Sequence, residues 1–300
     1  MSLKINSFIK KNLQGLRSKR QEWLKKKRIK KYLATGRVPW TTGYEDFKYS
    51  EIKRILGDVD SMKAFASLKT LKHFGIGIDE RIVEYPWIFS NLSAEKKILL
   101  DAGSTFNFEE IVSQKIIADK ELTIFTYAPE KNNFSHQRIS YQYGDLRNIP
   151  YRDNFFEEIV CQSTLEHIGM DNTIYSFKEE RTSDRQEINY SYRQVVKELN
   201  RVLQIDGTLL LTFPYGEFYN YGYFQQFNRE IVDDIVKILE KNGKVYSCFF
   251  KYSSDGWEFS SQENCDNSQS YNPHTGIGKG VDGAAHSRSI CCLKFQKTTI

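Results

Sequence analysis

The sequence predicts an α/β fold in which a mostly parallel sheet of seven strands carries helices on both of its faces. From residue 97 onward, short apolar runs alternate with longer segments whose apolar residues recur at helical spacing. This alternation is typical of parallel strands that are joined by crossover helices. With 40% hydrophobic and 27% charged residues among 300, the chain also has enough apolar material for a substantial core.

The seven strands are expected at the apolar runs. They cover residues 97–100, 122–127, 139–143, 158–162, 208–213, 245–250 and 289–295. Helices are predicted at 108–117 and 192–203, the second from the i, i+3, i+4 spacing of its apolar residues. A further helix is expected to begin after Asn228, a good N-cap residue, and to end with Gly243 at its C-terminal cap.

Residues 1–90 are interpreted as a basic helical extension that precedes the main domain, residues 91–300. Within the extension, helices are expected at 44–56 and 61–74. Proline disfavours helical backbone at the residue before it, so Pro86 predicts an extended segment or a helix that starts at the proline itself.

Positive charge is concentrated at the N-terminus. Residues 1–31 hold 12 Lys and Arg against Glu22 alone, whereas the rest of the chain holds 31 basic and 37 acidic side chains. Apolar and aromatic residues recur among these cations at roughly helical spacing, as in helices that make peripheral contact with an anionic membrane. The same pattern suits nucleic-acid phosphates, or a leader that packs on the body. Because no RNA-binding motif is present, nucleic acid is the least favoured of the three.

Two observations bear on the compartment. No apolar run approaches the length of a bilayer span, and the lysine-rich start lacks the apolar region of a signal peptide. The five cysteines are odd in number and have no CxxC spacing, which indicates reduced thiols rather than disulfides or a metal site. We therefore expect a cytoplasmic protein that can lie at the inner membrane surface.

Three stretches of the chain, taken in order, carry a family resemblance. Residues 98–104 read ILLDAGS, residues 144–160 read GDLRNIPYRDNFFEEIV, and residues 198–210 read ELNRVLQIDGTLL. They resemble the strand-plus-glycine turn, the Gly-Asp segment and the helix-to-strand segment of the class I S-adenosylmethionine-dependent methyltransferases. The resemblance implies a Rossmann-like fold, S-adenosylmethionine as cofactor and methyl transfer as the reaction.

The resemblance also implies which residues bind the cofactor. The glycine turn lets the backbone approach the ligand closely, and the Gly-Asp segment contacts the adenine. The residues after the fourth strand face the methionine portion. The implied cofactor-binding set is Asp101, Gly103, Ser104, Asn107, Tyr127, Asp145, Leu146, Ser163 and Thr164.

The sequence departs from the family pattern at two points. Thr105 and Asn107 stand where the turn usually has further glycines, and we expect Asn107 to replace one because asparagine tolerates unusual backbone angles. The family's second strand ends in an acid, whereas this one ends in Thr126 and Tyr127, and the next acid is Glu130. Three readings follow: Thr126 or Tyr127 contacts the ribose, Glu130 reaches back to it, or cofactor affinity is reduced.

Glu166 and His167 are the candidate catalytic residues. They follow the fourth strand and resemble a Glu-His pair of the same superfamily. Histidine is the usual proton acceptor near neutral pH, and an oxygen nucleophile benefits from one. Glu166 would orient the histidine or contact the cofactor amine, and Asp171 is a weaker candidate. In the alternative reading, His167 only fixes its loop by hydrogen bonding to backbone.

The acceptor site is expected in the variable segments. Residues 215–224 follow the fifth strand and are rich in aromatic rings, which stack on sugars and bases, although such rings also pack as a cover. Together with the basic arm, they favour O-methylation of a glycan, sugar or glycolipid in polysaccharide biosynthesis. Two other functions stay open: a Rossmann-like binding protein without catalysis, and a nucleic-acid methyltransferase guided by the basic arm.

Overall fold

The computed structural model describes residues 19–69, 72–171, 173 and 187–299. Its core is an eight-stranded sheet with the strand order β3-β2-β1-β4-β5-β10-β8-β9. The strands are β1 Ile98–Ala102, β2 Glu121–Thr126, β3 Ser140–Tyr143, β4 Phe156–Gln162, β5 Leu203–Pro214, β8 Gly243–Ser253, β9 Gly256–Ser260 and β10 Ser289–Lys297. A separate two-stranded ladder joins β6 Tyr219–Asn220 to β7 Gln225–Gln226. Strands β1 to β5 pair in parallel, whereas β10, β8 and β9 are antiparallel.

Helices cover both faces of the sheet. They are α1 at 19–34, α2 Tyr44–Leu56, α3 Val59–Ala66, α4 Arg81–Asn91, α5 Glu109–Val112, α6 Lys115–Ala118, α7 Tyr192–Val202, α8 Arg229–Leu239 and α9 Gln262–Cys265. One core cluster packs α7 and α8 on one face, and the other packs α2 to α6 on the opposite face. Neighbouring β1 residues divide accordingly, with Leu99 in one cluster and Leu100 in the other, as the strand period of two requires.

The expected α/β fold is confirmed, and each of the seven predicted strands is present. The eighth strand, β9, lies in a region that the sequence analysis did not assign to the sheet. It pairs with β8 in a tight hairpin, and its Trp257 is 1% exposed. At five residues the alternation is too short to distinguish from loop composition.

Three local predictions are wrong. The helix predicted at 108–117 is divided into α5 and α6, and the helix predicted to end near 74 ends at Ala66. Pro86 lies inside α4, in which eight of the 11 residues are buried. Burial of several large side chains, at about 1.5–3 kcal/mol each, outweighs the roughly 3 kcal/mol that an interior proline costs a helix.

Helix α8 begins as predicted and ends differently. The Asn228 side chain accepts a hydrogen bond from the Ile231 amide at 3.2 Å, which confirms the N-cap. The C-cap is Glu240 and not Gly243, which begins β8 instead. A Cβ at Gly243 would lie 2.0 Å from the Gln296 carbonyl oxygen, so glycine is needed there for close strand pairing.

Across the described ranges, no helix is both long enough and apolar enough to span a bilayer.

A buried ion pair fastens the start of β2 to β4. Lys120 Nζ lies 2.6 Å from Glu158 Oε2, and the two side chains are 0% and 2% exposed. The same ammonium donates to the carbonyl oxygens of Ser93 at 2.8 Å and Glu95 at 3.1 Å. Lys120 therefore joins three segments at the edge of the sheet opposite the carboxyl ends of its parallel strands.

We expect Lys120→Ala to lower the free energy of unfolding by about 3–5 kcal/mol, because it leaves the Glu158 carboxylate buried without its cation. Lys96→Ala is the matched control. Its partner Glu121 is 3.1 Å away, but the side chains are 69% and 63% exposed, so a loss below about 1 kcal/mol is expected. Urea unfolding measures both variants, and equal losses would contradict the assignment.

Candidate active site

A cavity of about 370 Å³ lies at the carboxyl ends of β1, β2, β3 and β4. Because these strands are parallel, the loops that follow them meet at one edge of the sheet. Open α/β sheets bind their ligands at this edge. Helices α2 and α4 add the remaining wall through Tyr49, Arg81 and Tyr85.

Most of the predicted site residues line this cavity. From the cofactor set these are Gly103, Ser104, Tyr127, Asp145, Leu146, Ser163 and Thr164, and His167 lines it as well. Asp101, Asn107 and Glu166 do not line it and are at most 1% exposed. Each of these three residues is either next in sequence or hydrogen-bonded to a residue that lines the cavity.

Gly103 forms the sharpest part of the turn after β1. Its φ is +127°, and a Cβ at this position would lie 2.1 Å from Thr164 Oγ1. Glycine is therefore required both by the backbone conformation and by the close approach of the loop after β4. The Gly103 amide donates to the Phe125 carbonyl oxygen at 2.9 Å, which holds the turn against β2.

Asp101 fixes the turn from its buried side. Its Oδ1 accepts from the Thr105 amide and hydroxyl, both at 3.1 Å, and its Oδ2 accepts from the Phe106 amide at 2.8 Å. Burial raises the pKa of Asp101 to about 7, although these hydrogen bonds favour the ionised form. Asp101 thus shapes the turn from behind the cavity wall.

Ser104 supplies a polar atom suited to a ligand. It lines the cavity, and its Oγ is buried with no hydrogen-bond partner in the described part of the chain. A buried hydroxyl left in this state is costly unless a ligand satisfies it. With the open glycine turn beside it, the loop fits a polar ligand such as an adenosyl cofactor. The positive φ of +63° belongs to Ser104, so the expectation that Asn107 takes the unusual backbone angle is wrong.

Asn107 acts through its side chain. Its Nδ2 donates to Glu130 Oε2 at 2.8 Å, and its Oδ1 accepts from the Tyr141 hydroxyl at 2.8 Å. The other carboxylate oxygen of Glu130 accepts from Thr126 Oγ1 at 3.1 Å. One residue from each departure, Asn107 from the turn and Thr126 from β2, therefore donates to Glu130, which lines the cavity.

Asp145 lies at the cavity but is engaged by a neighbour. Its Oδ2 accepts from Arg147 Nη2 at 2.7 Å and from Nε at 3.0 Å, while the Arg147 amide donates to Oδ1 at 2.8 Å. Bidentate contacts of this kind are among the stronger ion pairs. A ligand amine would share the Asp145 carboxylate with Arg147, which also lines the cavity.

His167 is held in one tautomer. Its Nδ1 lies 2.7 Å from the Tyr223 carbonyl oxygen, and since a carbonyl can only accept, Nδ1 carries the proton of the neutral ring and Nε2 carries the lone pair. Burial lowers the pKa of His167 to about 4, and the hydrogen bond to Tyr223 offsets only part of this shift. The ring is therefore neutral at pH 7, and its lowered pKa makes Nε2 a weaker base than that of an ordinary histidine.

Glu166 lies beside this ring, deeper in the protein. Its Oε1 is 3.9 Å from His167 Nε2, and its Oε2 is buried with no hydrogen-bond partner among the described residues. Burial raises the pKa of Glu166 well above its usual value. Burial thus disfavours the ionised form of Glu166, which lies beside His167.

A second polar cluster, outside the predicted set of site residues, is centred on Glu84 of α4. Glu84 Oε1 accepts from Ser163 Oγ at 2.5 Å and from Thr212 Oγ1 at 2.6 Å, and Oε2 accepts from Gln162 Nε2 at 3.1 Å. The side chain is wholly buried. The Ser163 hydroxyl, which was expected to face the methionine portion, is thus directed to Glu84.

Arg81, one turn before Glu84, is the cation that α4 brings to the cavity. Its Nη1 donates to Glu84 Oε2 at 2.7 Å. Burial disfavours its charge, but Glu84 and Glu80 outweigh this and raise the pKa of Arg81 further. The i, i+3 spacing of an arginine and a glutamate within an apolar helix was the available sequence signal.

Aromatic side chains form part of the wall, but not those that were expected. Tyr49 of α2 stacks on Phe108 with ring centroids 4.4 Å apart, and both line the cavity. No residue of the aromatic stretch 215–224 lines it. Within that stretch, Tyr221 stacks on Phe224 at 4.5 Å, and both are buried. Most of the charged segment that precedes α7, residues 174–186, lies outside the described residues.

Comparison with known proteins gives one family match. Residues 117–211, which run from α6 into β5 and include the loops after β2, β3 and β4, match the family described as "Methyltransferase domain". No curated protein matches the sequence.

Solved structures show distant similarity. The 1,6-didemethyltoxoflavin-N1-methyltransferase of Burkholderia thailandensis is 10% identical, with 85% of this chain and 86% of that chain covered and a TM-score of 0.41. The N-methyltransferase NodS of Bradyrhizobium japonicum, solved with S-adenosylhomocysteine, is 12% identical, with 83% and 98% covered and a TM-score of 0.39. Similarity at this level supports no inference about the substrate.

The matched segment contains three of the four loops that form the cavity. The three sequence stretches that resemble the superfamily fall on β1 and its turn, on the loop between β3 and β4, and on the junction of α7 with β5. Residues 117–211 thus match a methyltransferase domain family, and two of the three stretches that resemble class I S-adenosylmethionine-dependent methyltransferases line the same cavity.

Proposed function

We propose that the protein transfers the methyl group of S-adenosylmethionine to a hydroxyl group of a glycan, sugar or glycolipid. The position of His167 at the cavity wall, with its Nδ1 bound to the Tyr223 carbonyl oxygen, is the observation that carries this proposal. A hydroxyl is a poor nucleophile until its proton is removed, whereas a neutral amine attacks through its own lone pair. A buried histidine whose lone pair lies on Nε2 supplies the base that an oxygen acceptor needs.

In this proposal, different cavity residues bind different parts of the cofactor. Gly103 permits close backbone approach and Ser104 offers its hydroxyl, while Asp145 and the Leu146 amide would hold the adenine. Glu130 would accept hydrogen bonds from the ribose hydroxyls, and Arg81 would pair with the methionine carboxylate. When bound, S-adenosylmethionine supplies a methyl group already activated by its sulfonium centre.

The protein's own contribution is then positioning and one proton transfer. Holding the acceptor oxygen in line with the transferred group accounts for much of the rate. His167 Nε2 takes the hydroxyl proton, and the Tyr223 carbonyl oxygen stabilises the resulting imidazolium through Nδ1. Exposed rings at the cavity, such as Tyr127, suit the apolar face of a sugar.

The ribose assignment gives a direct test. Glu130→Gln should weaken S-adenosylhomocysteine binding roughly 10- to 100-fold, because hydrogen bonds to a charged group contribute about 1.5–3 kcal/mol. Asn107→Ala should weaken it in the same direction, since Asn107 holds the Glu130 carboxylate. Isothermal titration calorimetry measures each constant.

Tyr127→Phe is the matched control and should leave that affinity unchanged. If Tyr127→Phe weakens binding and Glu130→Gln does not, the ribose assignment is wrong. If the wild-type protein binds neither S-adenosylmethionine nor S-adenosylhomocysteine at millimolar ligand, the proposed function fails as a whole.

The state of His167 can be measured without knowing the acceptor. Its Hε1 resonance, identified by its absence in His167→Gln, should titrate near pH 4 instead of near 6.5. Because the pKa is lower in the folded chain, the unfolded chain binds more protons between these values. Folding stability due to this group is therefore complete above about pH 6.5 and is lost as the pH falls toward 4. A resonance that titrates at or above pH 6.5 would contradict the buried, neutral ring.

The reaction itself is tested by acceptor class and by the base. Tritiated methyl transfer should be detected with sugar or glycolipid acceptors and not with primary amines of similar size. His167→Gln should lower that rate by about 10²- to 10⁴-fold while leaving S-adenosylhomocysteine affinity within about twofold. Transfer to amines alone, or a parental rate in His167→Gln, would refute the oxygen-acceptor mechanism.

A further inference from the structure

Helix α1 presents one strongly basic face to solvent. Residues at i, i+4, i+7, i+8 and i+11 share one side of a helix, and in α1 these positions are Lys19, Trp23, Lys26, Lys27 and Lys30, with Arg20 and Lys31 beside them. We define the basic face as Lys19, Arg20, Trp23, Lys26, Lys27, Lys30 and Lys31, all of which are exposed. Trp23, at the centre of this face, is 60% exposed.

The opposite side of α1 is firmly attached to the body. Lys25 forms an ion pair with Glu110, and Arg28 pairs with Asp46 at 2.5 Å. Tyr32 is fully buried. A Cβ at Gly43 would lie only 2.2 Å from the Arg28 carbonyl oxygen. The orientation of the basic face is therefore fixed by packing and two ion pairs.

The composition of the basic face indicates the partner. The face holds six cations and one exposed indole: Lys27 lies 5.4 Å from the Trp23 ring centroid, and Lys26 pairs with the exposed Glu22 at 2.9 Å. Tryptophan favours the interface between water and hydrocarbon, and each nearby lysine is attracted by anionic headgroups. Five of the six cations are lysines, whereas recognition of nucleic-acid phosphates favours the bidentate arginine fork.

We propose that the basic face of α1 binds an anionic lipid bilayer, with the Trp23 ring inserted at the level of the headgroups. The charges on the face complement the negative surface potential of such a membrane. The indole adds the apolar contact that distinguishes interfacial binding from a purely electrostatic one.

The attachment points of α1 connect this surface to the cavity. Asp46 belongs to α2, which also contributes Tyr49 to the cavity wall, and Glu110 belongs to α5, which directly follows Phe108 of the same wall. Membrane binding through α1 would therefore hold the cavity wall near the bilayer. The consequence that the acceptor is lipid-linked rests on the proposed function, whereas the lipid binding itself does not.

Sedimentation with vesicles tests the surface. The full-length protein should bind vesicles of equal phosphatidylglycerol and phosphatidylcholine at about 0.1 M salt, and should not bind phosphatidylcholine alone. Lys27→Gln/Lys30→Gln/Lys31→Gln should weaken binding on the order of 100-fold, since each lysine near the surface contributes about 1 kcal/mol. The control Lys237→Gln/Lys241→Gln/Lys244→Gln removes three exposed lysines from α8, the turn after it and the start of β8, and should leave binding unchanged.

Tryptophan fluorescence tests the indole. Phosphatidylglycerol with brominated chains should quench the wild-type protein, and Trp23→Phe should abolish that quenching. Trp40→Phe, which removes the other exposed tryptophan, should not. Equal losses in the two lysine triples, or quenching that depends on Trp40 instead of Trp23, would overturn the proposal.

Two further results separate the possible partners and the possible failures. Lysine-dependent binding to a 20-nucleotide single-stranded RNA without vesicle binding would contradict a membrane partner. Vesicle binding that persists in Glu130→Gln, while S-adenosylhomocysteine binding is lost, would support the membrane surface independently of the catalytic proposal.

Discussion

The buried carboxylate of Glu84 is the contact on which the candidate site depends most. It receives hydrogen bonds from Arg81 on its own helix and from Gln162, Ser163 and Thr212 at the ends of β4 and β5. Breaking a buried charged contact costs several kcal/mol, because the partner charge is left without compensation. Glu84 thereby fixes α4 against the edge of the sheet at which the cavity opens, and it fixes Arg81 at the cavity wall.

Glu130 connects the two places at which the sequence departs from the family pattern. The loop after β1 lacks later glycines, and β2 does not end in an acid. In the structure these two changes meet, because Asn107 from the first loop and Thr126 from β2 both donate to Glu130. The carboxylate reaches the cavity wall from four residues beyond the strand. The two departures therefore meet in one hydrogen-bonded arrangement around Glu130.

The fold followed from local sequence pattern, and much of the cavity lining followed from the family resemblance. Apolar alternation located the sheet, and the Asn228 cap was read from residue type, because both report properties of neighbouring residues. The hairpin strand β9 was missed because five residues carry too little periodicity. The prediction of an extended segment or a helix start at Pro86 was wrong because burial of the other α4 side chains outweighs the local backbone preference of proline.

The missed site residues have a common cause. Arg81, Tyr49 and Phe108 reach the cavity through tertiary packing, and no spacing rule links α2 or α4 to the strand ends. Asp145 lines the cavity, yet its bidentate contact with Arg147 was not foreseen. Side-chain pairing of this kind depends on backbone geometry that sequence pattern does not specify.

A crystal structure of the protein grown with S-adenosylhomocysteine tests the central claim most directly. Ligand density is expected in the cavity between the Gly103 turn and Arg147, with the ribose hydroxyls within hydrogen-bond distance of the Glu130 carboxylate. Density at another place on the protein, or a ribose held by other residues with Glu130 unchanged in its contacts, would contradict it.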